Sequence, residues 1–186
     1  MKMEDNLYNM QEIDLYREGN RLEAKKAKGG IPNSMWETYS SFANTEGGII
    51  LLGVDEKKDG SFEVSGVQNA DQMLKDFWNM VNNRQKVNVN LLVEKDVTVE
   101  DYEGKKVITI RVPRADRYLR PVYVGQDPMS GSYRRNGEGD YHCSHEEVSA
   151  MYRDAYQLTQ DRKLLKHRDM KVFCMDTVHS LSLIHI

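Results

Sequence analysis

The most regular hydrophobic pattern in the chain begins at Met35. Met35, Trp36, Tyr39, Phe42 and Ala43 recur at steps of three and four, which gathers them on one side of a helix. Pro32 precedes Ser34-Met-Trp-Glu37, a spacing that predicts an N-cap at Ser34 whose hydroxyl and the Glu37 carboxylate satisfy each other's free backbone N–H groups. Asn44-Thr-Glu-Gly47-Gly48 ends the helix, because glycine tolerates the left-handed backbone of a helix exit. The following Ile49-Ile-Leu-Leu-Gly-Val54 is apolar at consecutive positions, so it is read as a central strand buried on both faces, one of them under the helix.

The remaining elements follow from the same reasoning. Residues 3–17 carry Leu7, Met10, Ile13 and Leu15 in a weak helical pattern that Glu18-Gly19-Asn20 breaks. Arg21 to Ala27 alternates as a strand, with Arg21, Glu23 and Lys25 on one face and Leu22 and Ala24 on the other. Lys57 to Gly60 reads as a turn, Phe62 to Val64 as a short strand, and Asp71 to Asn83 as a helix spaced by Met73, Leu74, Phe77, Trp78 and Val81. Strands are expected at Val87 to Leu92, Val97 to Tyr102 and Lys105 to Val112, the last two joined by Glu103-Gly104 as a hairpin closed by Pro113. A connector from Arg114 to Ser132 contains a short strand at Val122 to Val124; Tyr133 to Gly137 is a strand end and turn. Ser144-His-Glu-Glu147 is a second capping box, opening a helix through Met151, Tyr152 and Ala155. Together these give an α+β fold: a mixed sheet with a buried central strand at Ile49 to Val54, packed by helices at Met35 to Asn44 and Asp71 to Asn83.

The segment strongly resembles the Schlafen-type, AlbA-like DNA-binding domain found in bacterial regulators and in Schlafen proteins. The matching residues are Glu18, Leu22-Glu23-Ala-Lys25, Trp36-Glu-Thr38, Ser41-Phe-Ala-Asn44-Thr, Gly47-Gly48, Leu52-Gly-Val-Asp55 and Tyr133-Arg134-Arg-Asn-Gly137, spread over roughly residues 15 to 155. Ala24 departs from the family, which usually has an aromatic residue there. The resemblance implies one domain over residues 1–158. Residues 159–180 would start a linker or following domain, and residues 181–186, Leu-Ser-Leu-Ile-His-Ile, read as a non-native, adapter-derived tail on an N-terminal fragment. It further implies a DNA-contacting domain of a longer bacterial transcriptional regulator, with DNA or RNA as partner. Family members with ribonuclease activity use a Glu, Glu, Asp set, and Glu18, Glu23 and Asp55 match it position by position; the alternative function is therefore a Mg²⁺- or Mn²⁺-dependent endoribonuclease. A third reading is a protein-interaction module without nucleic acid.

Composition narrows these readings. Among 186 residues, 30% are charged yet the net charge is only −3, so affinity for a polyanion requires a local patch. Cys143 and Cys174 have neither zinc spacing nor a disulfide framework, which suits a reducing cytoplasm. No apolar run approaches about 18 residues, so no membrane span is expected. Homo-oligomerisation is left open.

Candidate chemistry falls in two places. Asp55 follows the carboxyl end of the central strand and Glu23 lies on a neighbouring strand, so with Glu18 their carboxylates would offer hard oxygen ligands to Mg²⁺ or Mn²⁺; the plainer reading pairs Glu23 with Arg21 or Lys25 and leaves Glu18 and Asp55 in exposed turns. Between Lys105 and Arg135 there are eight Lys or Arg against two Asp or Glu, with Tyr118, Tyr123 and Tyr133 interleaved. Arg111, Arg114, Arg117, Arg120, Tyr133, Arg134 and Arg135, joined by Lys25, Lys26 and Lys28 of the first strand, are expected to form one positive surface for phosphates and bases. Gly29-Gly30 and Gly47-Gly48 lack the Lys-Ser or Lys-Thr of a nucleotide loop and are read as turns. His142-Cys143-Ser144-His145 has no second cluster to complete a zinc site.

Overall fold

The computed structural model describes residues 21–161. Glu18, the helical pattern of residues 3–17 and the adapter-like tail lie outside them. The elements run β1 (Leu22–Lys25), α1 (Ser34–Asn44), β2 (Gly48–Leu52), β3 (Val54–Glu56), β4 (Phe62–Val64), α2 (Ala70–Val81), β5 (Val97–Tyr102), β6 (Lys105–Val112), α3 (Pro128–Gly131), β7 (Tyr133–Asn136), β8 (Gly139–His142) and α4 (His145–Asp161). Strands β1, β2, β6 and β5 form a mixed sheet in that order, β1 parallel to β2 and the other pairs antiparallel. The α+β class with a central mixed sheet is as expected.

Both faces of β2 are covered. Ile50 and Leu52 share one face with Ile108 and Ile110 of β6, and Met35, Trp36, Tyr39, Phe42, Met73, Phe77 and Val81 of α1 and α2 close over them. Trp36 stacks on Phe77 with ring centroids 5.8 Å apart, which ties the two helices together. Leu22, Ile49, Leu51 and Val107 face the other way, under Val54, Phe62 and Val64 of the β3–β4 hairpin. The expected central strand therefore ends at Leu52 rather than Val54. Gly53, at φ 94°, turns the chain, and Val54 begins the hairpin that folds back over the sheet.

Three local expectations are corrected. Helix α1 is preceded by Asn33, and no side chain caps it; the Ser34 box does not form, since Ser34 is already inside the first turn. Val87 to Leu92 is not a strand. Its Val-Asn alternation imitates one, but only Val87 finds a partner, in a single bridge to Val124, and no ladder continues from it. The Tyr39 hydroxyl donates to Val89 O and accepts from Leu91 N, while Asn88 and Asn90 side chains bind neighbouring backbone. Val122 to Val124 makes only isolated bridges, at Val124 to Val87 and Tyr123 to Ser132. Other signals hold: the Ser144–Glu147 box forms in both directions, at 2.7 and 3.2 Å, and Glu103-Gly104 joins β5 to β6 with both residues at positive φ.

Candidate nucleic-acid interface

One side of α1 is apolar and meets the sheet; the other carries Thr38, Ser40, Ser41 and Asn44, with Thr45 at its end, and is also buried apart from Thr45. A buried polar face needs partners, and for Ser40, Asn44 and Thr45 they are the backbones of distant segments, while Thr38 meets the Asp140 side chain and Ser41 Oγ is buried without a partner among the described residues. Asn44 Nδ2 donates to Val122 O at 2.7 Å and Tyr133 O at 2.9 Å, while Asn44 Oδ1 accepts from Val122 N at 2.8 Å. Ser40 Oγ donates to Val122 O at 2.7 Å and accepts from Tyr133 N at 3.0 Å; Thr45 Oγ1 accepts from Arg135 N at 3.0 Å. Ala115 N donates to Ala43 O at 2.8 Å. The segment carrying Arg114, Arg117 and Arg120 is thus fixed to the end of α1 on both sides, and the β7–β8 hairpin is fixed beside it.

Below the hairpin lies a buried ionic network. Arg135 Nη2 donates to Glu23 Oε2 at 2.8 Å and Nη1 to Asp140 Oδ1 at 3.0 Å, with the side chain only 1% exposed. Asp140 Oδ2 accepts from Thr38 Oγ1 at 2.6 Å, Glu23 Oε1 accepts from Lys25 Nζ at 2.5 Å, and the guanidinium lies 5.2 Å from the Phe42 ring centre. Burial by itself would lower the Arg135 pKa, but the hydrogen bond and charge of Asp140, then those of Glu23, hold it above the usual arginine value. This corrects the expectation that Arg135 faces a phosphate. Neighbours on a strand point to opposite sides, so Arg134 faces out while Arg135 is the core cation that ties β1 to β7 and β8.

The same network bears on the acidic set. Both Glu23 oxygens face protein cations, and Asp55 Oδ2 pairs with Lys26 Nζ at 2.9 Å. Among the described residues no group of three His, Cys, Asp or Glu is arranged to hold a metal ion. Glu23 and Asp55 are each paired with protein cations in this arrangement, and Glu18, the third member of the set, lies outside the described residues. The plainer pairing of Glu23 with Lys25 is present.

The expected cations do not form one surface. Lys25 is in register with Leu52, whereas Val112, just before Arg114, is in register with Gly48. Four residues of strand separate those points, about 13 Å, and Lys26 and Lys28 lie further towards one end as Arg114 lies towards the other. Lys25 and Lys26 are engaged by Glu23 and Asp55. Arg111 pairs with Ile49 and so lies on the face opposite α1. What the fold brings together is Arg114, Arg117 and Arg120, with Arg134 on the adjoining hairpin. Arg114 and Arg117 are exposed. Burial and then the nearby Arg114 lower the Arg120 pKa, with Asp154 and Asp116 offsetting part of this, and Arg120 Nε is buried without a hydrogen-bond partner. Tyr133 lies against His142, ring centroids 4.3 Å apart and planes tilted by 34°, and burial, Glu37 and Asp140 raise its pKa.

Asp140 carries weight that sequence reasoning did not assign to it. Its signal was present in the alternation of Gly139-Asp-Tyr-His142 directly after a turn, which makes a second hairpin strand with one inward and one outward side chain.

The comparisons agree with this architecture. No curated protein matches the chain. Among solved structures, the N-terminal domain of a RecG-related protein from Nitrosomonas europaea, named as an ATP-dependent DNA helicase, matches with 31% identity and a TM-score of 0.53, over 72% of this chain and 89% of that one. A Corynebacterium diphtheriae protein matches at 18% identity and TM-score 0.47, over 72% of this chain and 23% of its own. The family described as "Schlafen, AlbA_2" matches residues 18–144. With that match spanning the sheet, the polar face of α1 and the β7–β8 hairpin, the chain belongs to the Schlafen AlbA_2 family.

Proposed function

We propose that this chain is a nucleic-acid-binding domain, and specifically the DNA-contacting domain of a longer bacterial regulator, which grips the phosphate backbone with Arg114, Arg117 and Arg120. One observation carries the reading: three arginines sit on a segment fixed at both ends to α1, and among the described residues none of them has a carboxylate within ion-pair distance. The nearby Arg114 disfavours the charge of Arg120, and a phosphate between them would relieve that repulsion and satisfy Arg120 Nε. The N-terminal domain of the Nitrosomonas europaea protein, named with a DNA helicase, supports nucleic acid as the partner. The ion pairs of Glu23 and Asp55 favour binding over metal-dependent RNA cleavage.

The test is fluorescence anisotropy of the chain with labelled duplex DNA across a salt series. Affinity should fall steeply with salt. Replacing all three arginines by alanine should flatten the slope of log K against log salt by roughly 2 to 3, at about 0.9 per neutralised phosphate. Equal binding by the folded triple variant would remove the proposed contact. Mn²⁺-dependent cleavage of labelled tRNA, lost in Asp55→Ala, would favour the nuclease instead.

A further inference from the structure

We infer that the β7–β8 hairpin carries a base-stacking site at Tyr141, and that the preferred ligand is therefore an unpaired, single-stranded stretch of nucleic acid. The inference rests on the nucleic-acid reading above and adds to it the strandedness of the ligand and a residue outside the arginine segment.

Tyr141 is 55% exposed, a large fraction for an aromatic residue on a short strand, and among the described residues its hydroxyl has no hydrogen-bond partner. Its ring lies along the hairpin. A Cβ built on Gly139 would lie 2.7 Å from the Tyr141 ring edge and 2.9 Å from its hydroxyl oxygen, so the phenol leans along its own strand over the space that the glycine leaves. One side of the ring is thereby set against the hairpin and the rest is presented to solvent. A flat apolar surface presented in this way is what a nucleobase stacks upon.

Arg134 is directly opposite Tyr141 in the register and on the same face of the ribbon. Its side chain is 43% exposed while Nε meets Glu147 Oε1 at 3.0 Å, so the guanidinium is anchored without being covered. The platform itself cannot easily shift. The alternate residues of the two strands, Arg135 and Asp140, are locked into Glu23, Thr38 and Phe42 beneath it. Such preorganisation lowers the ordering cost of binding.

The hairpin also lies beside the arginine segment. Asn44 binds Val122 O and Tyr133 O at once, joining the end of one to the start of the other. Helix α4 runs along both, with Glu147 at Arg134 and Asp154 near Arg120. Those two acids are seven residues apart, on one face of the helix and about 10 Å along its axis. A strand whose phosphates meet Arg114 and Arg120 would therefore reach Tyr141 within a few nucleotides. In a duplex the bases are paired and stacked on each other and have no free face for this ring. Local charge does not account for the preference, because Glu138, Glu146 and Glu147 surround the hairpin; the stacking surface does.

The experiment measures anisotropy of the full chain, at low salt, with a labelled 12-nucleotide oligo(dT) and with a labelled 12-base-pair duplex. Wild type should bind oligo(dT) more tightly. Tyr141→Ala should weaken oligo(dT) by about 5- to 100-fold and leave the duplex within about two-fold, while Tyr141→Phe keeps the wild-type preference. Gly139→Ala, whose added methyl displaces the ring without removing it, should reproduce part of the loss. Circular dichroism of each variant checks that the fold is intact. Equal loss on both ligands, or none on either, overturns the stacking site while the arginine segment stands. Tighter binding of the duplex by wild type also overturns it. Binding to neither ligand refutes the nucleic-acid reading itself, and the stacking site with it.

Discussion

Asn44 is the residue on which the candidate interface is assembled, and Asn44→Ala is the most informative single perturbation. The side chain makes three short hydrogen bonds of 2.7, 2.8 and 2.9 Å, to Val122 O, from Val122 N and to Tyr133 O, and a longer one of 3.4 Å to Ser40 Oγ. At about 1 kcal/mol net each the three short ones contribute on the order of 3 kcal/mol. Val122 is fully buried, so its amide would be left without a partner; its carbonyl keeps the Ser40 hydroxyl. An orphaned buried donor adds roughly 1–2 kcal/mol, for a total near 4–5 kcal/mol, a large part of a typical domain's 5–15 kcal/mol. The assay is urea denaturation of wild type and variant followed by circular dichroism, with hydrogen exchange at the Val122 amide. Gln72→Ala, exposed and bonded through its side chain to Asp76, should cost under about 0.5 kcal/mol and serves as control. Asn44→Ala should also weaken nucleic-acid binding, since the attachment of the arginine segment at Val122 is loosened, with Ser40 alone left on the Val122 carbonyl. A stability loss below 1 kcal/mol with Val122 still protected would refute the argument that this side chain holds the connector and hairpin together.

Other substitutions test separate parts of the structure. Arg135→Ala strands Glu23 and Asp140 in a buried site and should cost about 3–5 kcal/mol by denaturant melting, whereas the exposed Arg134→Ala should cost under about 1 kcal/mol. Gly48→Ala places a Cβ 2.7 Å from the Phe42 ring and should destabilise by about 1–3 kcal/mol, visible as a lower Tm. Glu103→Asn should raise Tm slightly, by a few tenths to about 1 kcal/mol, because Glu103 holds φ 51° and asparagine tolerates that region better. Burial pushes the Tyr39 hydroxyl from 10.0 up to about 12, against the lowering hydrogen bond from Leu91. The folded state then binds that proton more tightly. The associated stability is whole below pH 10 and lost as pH rises towards 12, about 2–3 kcal/mol that Tyr39→Phe should render pH-independent in alkaline melts. Burial, then the Glu147 charge, moves the Cys143 thiol in the same direction, from 9.0 to about 11. Iodoacetamide at pH 8 should accordingly label Cys143 only after unfolding, as read by peptide mass mapping.

Local pattern by itself determined the elements and their order. The three- and four-residue spacing from Met35 to Ala43 fixes an apolar helix face, the Gly47 exit at φ 75° ends that helix, and Glu103-Gly104 permits only a tight hairpin; each depends on residues close in the chain. The family was legible as well, because its motif residues are largely those that α1 uses to hold the connector and hairpin. Val87 to Leu92 misled because alternation supplies one face of a strand but not a neighbour that pairs along its length, and only Val87 forms a bridge. Tertiary structure alone decided what the charges do. Arg134 and Arg135 are adjacent and identical in the sequence, yet one reaches solvent and the other a buried carboxylate 112 residues away, since only packing establishes which side of a strand is inside. Likewise the lysines of β1 and the arginines after β6 were expected to merge, and sheet register sets them at opposite ends. Charge attraction depends on distance through space, and distance through space between remote segments is fixed by how the sheet pairs, which no local pattern encodes.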